Sequence, residues 1–138
     1  MTQISHIDHI AIAVHRISEV KDFYEQALGL SISSIEEMPE RGIRTAFIQV
    51  GQSMIELIEP MHEQSEISAF LSKRGPGLHH VAFHTPNIKK STEQAKDQGV
   101  KLIYDQDQPG AHHTRVNFIH PKSSGGILLE LVQKEPKN

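Results

Sequence analysis

The chain has no cysteine and no tryptophan, and only two tyrosines and five phenylalanines among its 138 residues. Without cysteine there can be no disulfide and no thiolate zinc site. With so few aromatic side chains, a base-stacking platform for single-stranded nucleic acid is not expected. No apolar run approaches the roughly 20 residues that a membrane span needs, and no signal peptide opens the sequence, so the expected location is cytoplasmic. There is no basic excess either. The formal net charge is −3, which argues against nucleic acid or an anionic membrane as the main partner, since both select basic surfaces. At this length the chain is expected to form one compact domain, or two small halves sharing a core.

Histidine is abundant, at ten residues. Three of them lie in Gly77-Leu78-His79-His80-Val81-Ala82-Phe83-His84, which reads as a short strand entered through glycine. Its counterpart near the N-terminus is Ile7-Asp8-His9-Ile10-Ala11-Ile12-Ala13. With His80 set on His9, Ala82 falls on Ala11 and Ile88 on Ile17, and a glycine, Gly29 or Gly99, closes the helix that follows. Later, each copy carries an apolar strand with a glutamate inside it: Met54-Ile55-Glu56-Leu57-Ile58 and Leu128-Leu129-Glu130-Leu131-Val132. The chain thus reads as one unit written twice, each offering one histidine and one carboxylate.

The local pattern fills in a βαβββ order for each copy. From His9 to Val14 the strand alternates, with Ile10, Ile12 and Val14 expected on a helix and the small Ala11 and Ala13 leaving space in front of the His9 imidazole. Ser18 suits the N-cap of the first helix, with Glu19 in its first turn and Val20, Phe23, Tyr24, Ala27 and Leu28 as its apolar stripe. Strands are expected over 31–36, 42–50 and 53–59, with Gly51-Gln52 as a hairpin turn. Module 1 spans about 5–60 and module 2 about 77–133, joined by a connector over 61–76 with helical spacing at Ile67, Phe70 and Leu71. In module 2, strands are expected over 79–85, 100–104, 114–120 and 127–133, a helix over 88–98, a loop over 105–112 and a turn over 121–126, and 135–138 reads as a frayed tail. An isolated half has too little mass to bury its sheet well, so the two modules are expected to pair.

Taken singly, Glu56 reads as an edge-strand carboxylate facing solvent and His9 as a hydrogen-bonded, half-buried imidazole. The second His/Glu pair, at nearly the same spacing in the same repeat position, changes that reading. A glutamate between Ile55 and Leu57, and again between Leu129 and Leu131, is costly inside a sheet without a cation. Two imidazoles and two carboxylates suit a borderline or hard divalent ion with positions left for water or substrate, and the absence of sulfur speaks against a closed structural zinc site.

The segments Ile7–Ala13, Phe23–Gly29, Ile55–Pro60, Gly77–Ala82, Gly110–His112, Asn117–Lys122 and Gly125–Leu131 resemble the vicinal oxygen chelate superfamily with its glyoxalase fold, over nearly the whole chain. Within it, Gly77-Leu78-His79-His80 and Phe118-Ile119-His120-Pro121-Lys122 are most similar to the methylmalonyl-CoA epimerases. The resemblance implies an α+β fold in which paired βαβββ modules form a curved mixed sheet with helices outside, in a single domain over 1–138. It implies epimerisation of methylmalonyl-CoA, R/S interconversion at C2, through a metal-stabilised enediolate. It implies one divalent ion, Co2+ as the expected native metal with Zn2+, Ni2+ or Mn2+ as alternatives, held by His9, Glu56, His80 and Glu130. Glu130 is the first candidate for the proton-shuttling carboxylate, with the second acid/base open between Glu56, a metal-bound water and a histidine of the 112–113 loop. Some epimerases carry a glutamate on the second strand of the first half, where this chain has Thr45, which cannot serve as a base near neutral pH. Thr45→Val is therefore expected to cost little. His79 is expected to face away from the site, and Lys122 to meet substrate phosphate or carboxylate or else to stand in solvent.

The partners implied are an acyl-CoA substrate and a second copy of the chain, because symmetric dimers dominate soluble oligomers. Two other functions fit the same fold. A glyoxalase I-type lactoylglutathione lyase typically carries an Asp-Pro-(Asp/Asn)-Gly turn before the final glutamate, whereas His120-Pro121-Lys122-Ser123-Ser124-Gly125 stands here. A non-enzymatic small-molecule-binding resistance protein usually lacks the ligands. An iron dioxygenase needs only two histidines and one carboxylate, so Glu56 as a fourth ligand argues against it.

Overall fold

The structure is a computed structural model that describes residues 3–134; the expected tail at 135–138 lies outside the described residues. Contacts divide the chain into two compact units. One runs from His9 to His79; the other joins the residues up to Asp8 to those from His80 onward.

In the first unit the strands are β1 (His6–Ala13, entering the unit at His9), β2 (Glu36–Met38), β3 (Ile43–Val50) and β4 (Ser53–Pro60), in the sheet order β2-β3-β4-β1. β1 runs parallel to β4, with Ala11 beside Glu56, while β4 pairs antiparallel with β3, placing Phe47 beside Glu56. The hairpin at Gly51-Gln52 forms as expected, and Gly51 takes the left-handed backbone (φ 62°) that the tight turn requires. Two helices cover the two faces. The first, α1 (Ile17–Asp22), packs Ile17 and Val20 against Val14, Ala46, Ile48 and Leu57. α2 (Glu66–Arg74) packs Ile67 and Leu71 against Ala11, Ala13, Ile43 and Ile58. The space expected over Ala11 and Ala13 is therefore filled by α2, and both alanines are wholly buried. Their small side chains are what allow the helix to approach.

Helix α1 departs from the sequence reading at both ends. Ser18 is not its cap: the helix begins at Ile17, and Ile17 N–H donates to Glu59 Oε1 at 3.0 Å, so a carboxylate from β4 satisfies the first turn. After Asp22 the chain widens into a π-turn over Phe23–Ala27, in which Leu28 N–H reaches back to Phe23 O. The wider turn shifts the phase of the apolar stripe. Tyr24 still packs on the core, but Phe23 and Leu28, 56% and 54% exposed, turn away from it.

The second unit repeats the plan. β5 (Gly77–His84, entering at His80), β6 (Gln108–Gly110), β7 (Thr114–Ile119) and β8 (Leu129–Lys134) follow the order β5-β8-β7-β6. β5 is parallel to β8 with Ala82 beside Glu130, and β7 is antiparallel to β8 with Phe118 beside Glu130. α3 (Ile88–Asp97) is capped by Asn87 Oδ1 from Lys90 N–H at 3.1 Å, and Ile88 N–H donates to Gln133 Oε1 at 2.8 Å. Gln133 thus repeats the part of Glu59. The expected turn over 121–126 contains a short helix, α4 (Pro121–Ser124), begun by His120, whose Nδ1 accepts from Lys122 N–H at 3.0 Å.

The sheet edges are more broken than expected. The strand anticipated over 31–36 is reduced to a single bridge, Ile32 with Ile48, and the regular pairing starts only at Glu36. There the Ser33 hydroxyl accepts from Phe47 N–H at 2.9 Å, taking the place of a backbone carbonyl. The strand anticipated over 100–104 is likewise one bridge, Leu102 with Ile119, and β6 falls inside what reads as a loop. Asn117, wholly buried on β7, bonds to this stretch through its side chain. Its Oδ1 accepts from Tyr104 N–H at 3.2 Å and its Nδ2 donates to Tyr104 O at 3.1 Å, so a side chain holds Tyr104 where a ladder partner would stand.

No helix among the described residues is long and apolar enough to cross a membrane. Replacing Asn117 by alanine removes both bonds to Tyr104 in a buried place. The expected cost is about 1–3 kcal/mol in chemical denaturation, with hydrogen exchange at Tyr104 accelerated beyond that at β8.

Candidate metal centre

Each unit brings its own histidine and glutamate together. In the first, His9 Nε2 lies 3.5 Å from Glu56 Oε1, and the two side chains are 10% and 9% exposed. In the second, His80 Nε2 lies 2.9 Å from Glu130 Oε1. The same imidazole nitrogen faces the carboxylate in both.

The strand register explains why. On parallel neighbours, the residue beside Glu56 is Ala11, two residues along β1 from His9 and hence on the same face. Ala82 stands in the same relation to Glu130 and His80. The small alanine leaves room beside the carboxylate, and the imidazole from two residues away reaches it. On the antiparallel side a phenylalanine flanks each glutamate, Phe47 for Glu56 and Phe118 for Glu130. Phe118 also meets the His80 ring edge-to-face at 5.8 Å between centroids, which fixes the ring plane. The lane Ala–Glu–Phe is therefore written twice in the fold. The flanking phenylalanines were not singled out from the sequence as site residues, although both occur four residues after the start of the equivalent strand in their unit, Ile43 and Thr114.

A buried carboxylate in an apolar strand is tolerated when a positive group or a hydrogen-bond donor meets it. His9, Glu56 and His80 are buried donors of the kind that could hold a metal ion. Glu130 is equally buried. The chemistry available is that of two imidazoles and two carboxylates: cation binding and proton transfer at the carboxylates.

The remaining sequence candidates are placed as follows. His79 packs edge-to-face on Phe70 of α2, with ring centroids 5.0 Å apart. Lys122 is exposed in α4. His112 and His113 form the exposed tip between β6 and β7, both with left-handed backbone (φ 56° and 59°). From Thr114, where the tip joins β7, Phe118 is four residues on, roughly 13 Å at about 3.3 Å per residue. That separation sets the tip apart from Glu130. Thr45 is buried in the middle of β3.

A second histidine cluster, not read from the sequence, lies in the second unit. Ser5 Oγ sits 2.5 Å from His84 Nδ1 and 3.1 Å from His6 Nδ1, and the two rings stack at 4.9 Å. Burial pushes the His84 imidazole below its usual 6.5; His6 and Lys134 act in the same direction, and Asp8 opposes them.

The family model for the glyoxalase/bleomycin resistance protein/dioxygenase superfamily matches residues 8–118. The chain is 39% identical to the uncharacterized protein YqjC of Bacillus subtilis, over 97% of this chain and 94% of that one. The crystal structure of methylmalonyl-CoA epimerase from Mycobacterium tuberculosis superposes with a TM-score of 0.91 at 35% identity, covering 99% of this chain and 92% of that one. A variant of the Streptomyces coelicolor methylmalonyl-CoA epimerase, in complex with 2-nitronate-propionyl-CoA, superposes with a TM-score of 0.89 at 34% identity, covering 96% of this chain and 99% of that one.

Because the folded state holds His84 below its ordinary value, the unfolded chain binds the extra proton first as pH falls. The stability linked to His84 is therefore fully present above pH 6.5 and declines as pH drops from there through the lowered folded value. An NMR titration is expected to find the His84 ring titrating below 6.5, and His84→Gln to flatten the decline in stability over that window.

Proposed function

The chain belongs to the glyoxalase/bleomycin resistance protein/dioxygenase superfamily, and we propose that it is a methylmalonyl-CoA epimerase interconverting the R and S forms at C2. The observation that carries this reading is the buried His/Glu pair present in each unit of a chain that is 35% identical to an epimerase along nearly its whole length. The working form is a single domain over residues 1–138, assembled as a homodimer in the cytoplasm.

One divalent ion is assigned to His9, Glu56, His80 and Glu130. The donor set fits such an ion: two imidazoles, two carboxylates buried among apolar residues, and no thiolate. Cobalt is the first choice, with zinc, nickel and manganese as alternatives. When bound, the ion supplies positive charge where the substrate oxygens gain negative charge as the C2 proton leaves.

The protein's own part is proton handling. Epimerisation needs the C2 proton removed on one face and returned on the other. Glu130 is assigned the first transfer, its carboxylate being buried in β8 beside the His80 imidazole. Glu56, its repeat counterpart, is the carboxylate available for the second. Thr45 leaves no carboxylate on β3, and His112 and His113 stand at an exposed hairpin tip.

Incubation of the purified protein with methylmalonyl-CoA in heavy water tests the assignment directly. Deuterium is expected at C2, with the exchange abolished by a chelator and restored by added cobalt. Absence of exchange, with turnover of a glutathione hemithioacetal instead, would reassign the protein as a lactoylglutathione lyase. Metal analysis is expected to give one ion per chain.

Glu130→Gln keeps the shape and a neutral oxygen but cannot take a proton. It is expected to lose on the order of a hundredfold or more in kcat while metal content is retained. Near-normal turnover with full metal would remove Glu130 from the proton path.

A further inference from the structure

Thr45 lies on the face of β3 that carries the functional lane of the first unit. Phe47, two residues along, is the cross-strand partner of Glu56, and Thr45 itself faces Ile58. It is 1% exposed, and its Oγ1 has no hydrogen-bond partner among the described residues. A threonine hydroxyl buried without a partner costs stability, because its bonds to water are lost and nothing replaces them.

The second unit shows that the fold does not require this hydroxyl. There Phe118 faces Glu130 and Val116 faces Val132, so Val116 stands where Thr45 stands in the first unit. Val116 is also buried. Valine has nearly the volume and the same β-branched shape, with a methyl in place of the hydroxyl, so packing alone would be served at least as well by valine at 45. Its neighbours along β3 on this face, Ile43 and Phe47, are apolar, which leaves the hydroxyl as the polar atom that the packing of this strand does not account for.

We propose that Thr45 is a substrate-binding hydroxyl: Oγ1 donates a hydrogen bond to an oxygen of the malonyl head of the bound acyl-CoA. This rests on the epimerase reading given above. The charge pattern supports a donor at this place. Glu56, one row away on the same face, is acceptor-only when ionised and repels a second carboxylate. A neutral donor offers the malonyl oxygens a bond without adding negative charge. The hydroxyl is enclosed in the structure, so the substrate reaches it with the side-chain rotations that binding commonly brings. The hydroxyl lost its partner on folding and regains one on binding, so the cost in the free protein becomes selectivity for a ligand that supplies an acceptor.

Two variants separate this role from packing. Thr45→Val installs the residue of the sister unit, and Thr45→Ser keeps the hydroxyl and removes the methyl. Thermal unfolding, calorimetric binding of 2-nitronate-propionyl-CoA and steady-state kinetics with methylmalonyl-CoA are measured for both and for the wild type. Thr45→Val is expected to unfold at the same or a higher temperature than the wild type while binding the analogue about tenfold more weakly, the scale of one hydrogen bond to a charged acceptor. The unpartnered buried hydroxyl thus revises the small cost expected from the sequence, which weighed Thr45 only as a base. Thr45→Ser is expected to bind within about twofold of the wild type, the hydroxyl being kept. Wild-type affinity and kinetics in Thr45→Val overturn this inference and leave the epimerase reading standing. A lowered unfolding temperature in Thr45→Val also overturns it, since the hydroxyl would then have its partner within the protein. A wild type that neither exchanges the C2 proton of methylmalonyl-CoA nor binds the analogue overturns the epimerase reading, and this inference with it.

Discussion

A glutamate in the middle of an apolar strand, met by an imidazole from the parallel strand next to it, is the constraint on which each unit is built. Left alone, a buried carboxylate of this kind would cost several kcal/mol. The flanking residues are chosen around that difficulty. Alanine on one side admits the imidazole, and phenylalanine on the other covers the carboxylate. The strand cannot slip by one residue without sending the glutamate into the opposite core, where Ala46, Ile48 and Leu57 pack on the outer helix in the first unit. The functional pair and the register therefore specify each other.

The doubled His/Glu pairs were legible because period-two alternation and internal repetition survive in the sequence, and so were the two long hairpin strands of each unit. Gly51, Gly29 and Gly99 marked turns correctly, since their backbone takes left-handed angles that other residues avoid. What stayed hidden were contacts between residues far apart in the chain. Ser18 had the right composition for a cap, but Glu59, brought up by β4, occupies that role from 42 positions away. The stripe from Val20 to Leu28 had helical spacing, and a widened turn rotated its second half outward. The edge strands read well locally, yet Ser33 and Asn117 put side-chain atoms where ladder bonds would have formed.

Comparison of the two units is informative where they differ, since the shared plan removes what packing alone demands. The lane Ala–Glu–Phe is identical in both, and so is the use of a side chain three residues after the glutamate to hold a helix start. Against that background, a threonine in one unit and a valine in the other at the same register is a difference that the sheet itself does not explain.

Glu56 and Glu59 are three residues apart on one strand, so their side chains leave from opposite faces. The same short run of backbone grips an imidazole on one side and the first turn of α1 on the other. Glu130 and Gln133 do the same for α3. Each outer helix start is thereby tied to the strand that carries the inner carboxylate. A surface substitution on α1 that disturbs its first turn bears directly on Glu59, three residues from Glu56 on the same strand. The exterior of such a protein is not a neutral coat: the start of each outer helix stands one hydrogen bond and three residues away from a buried glutamate.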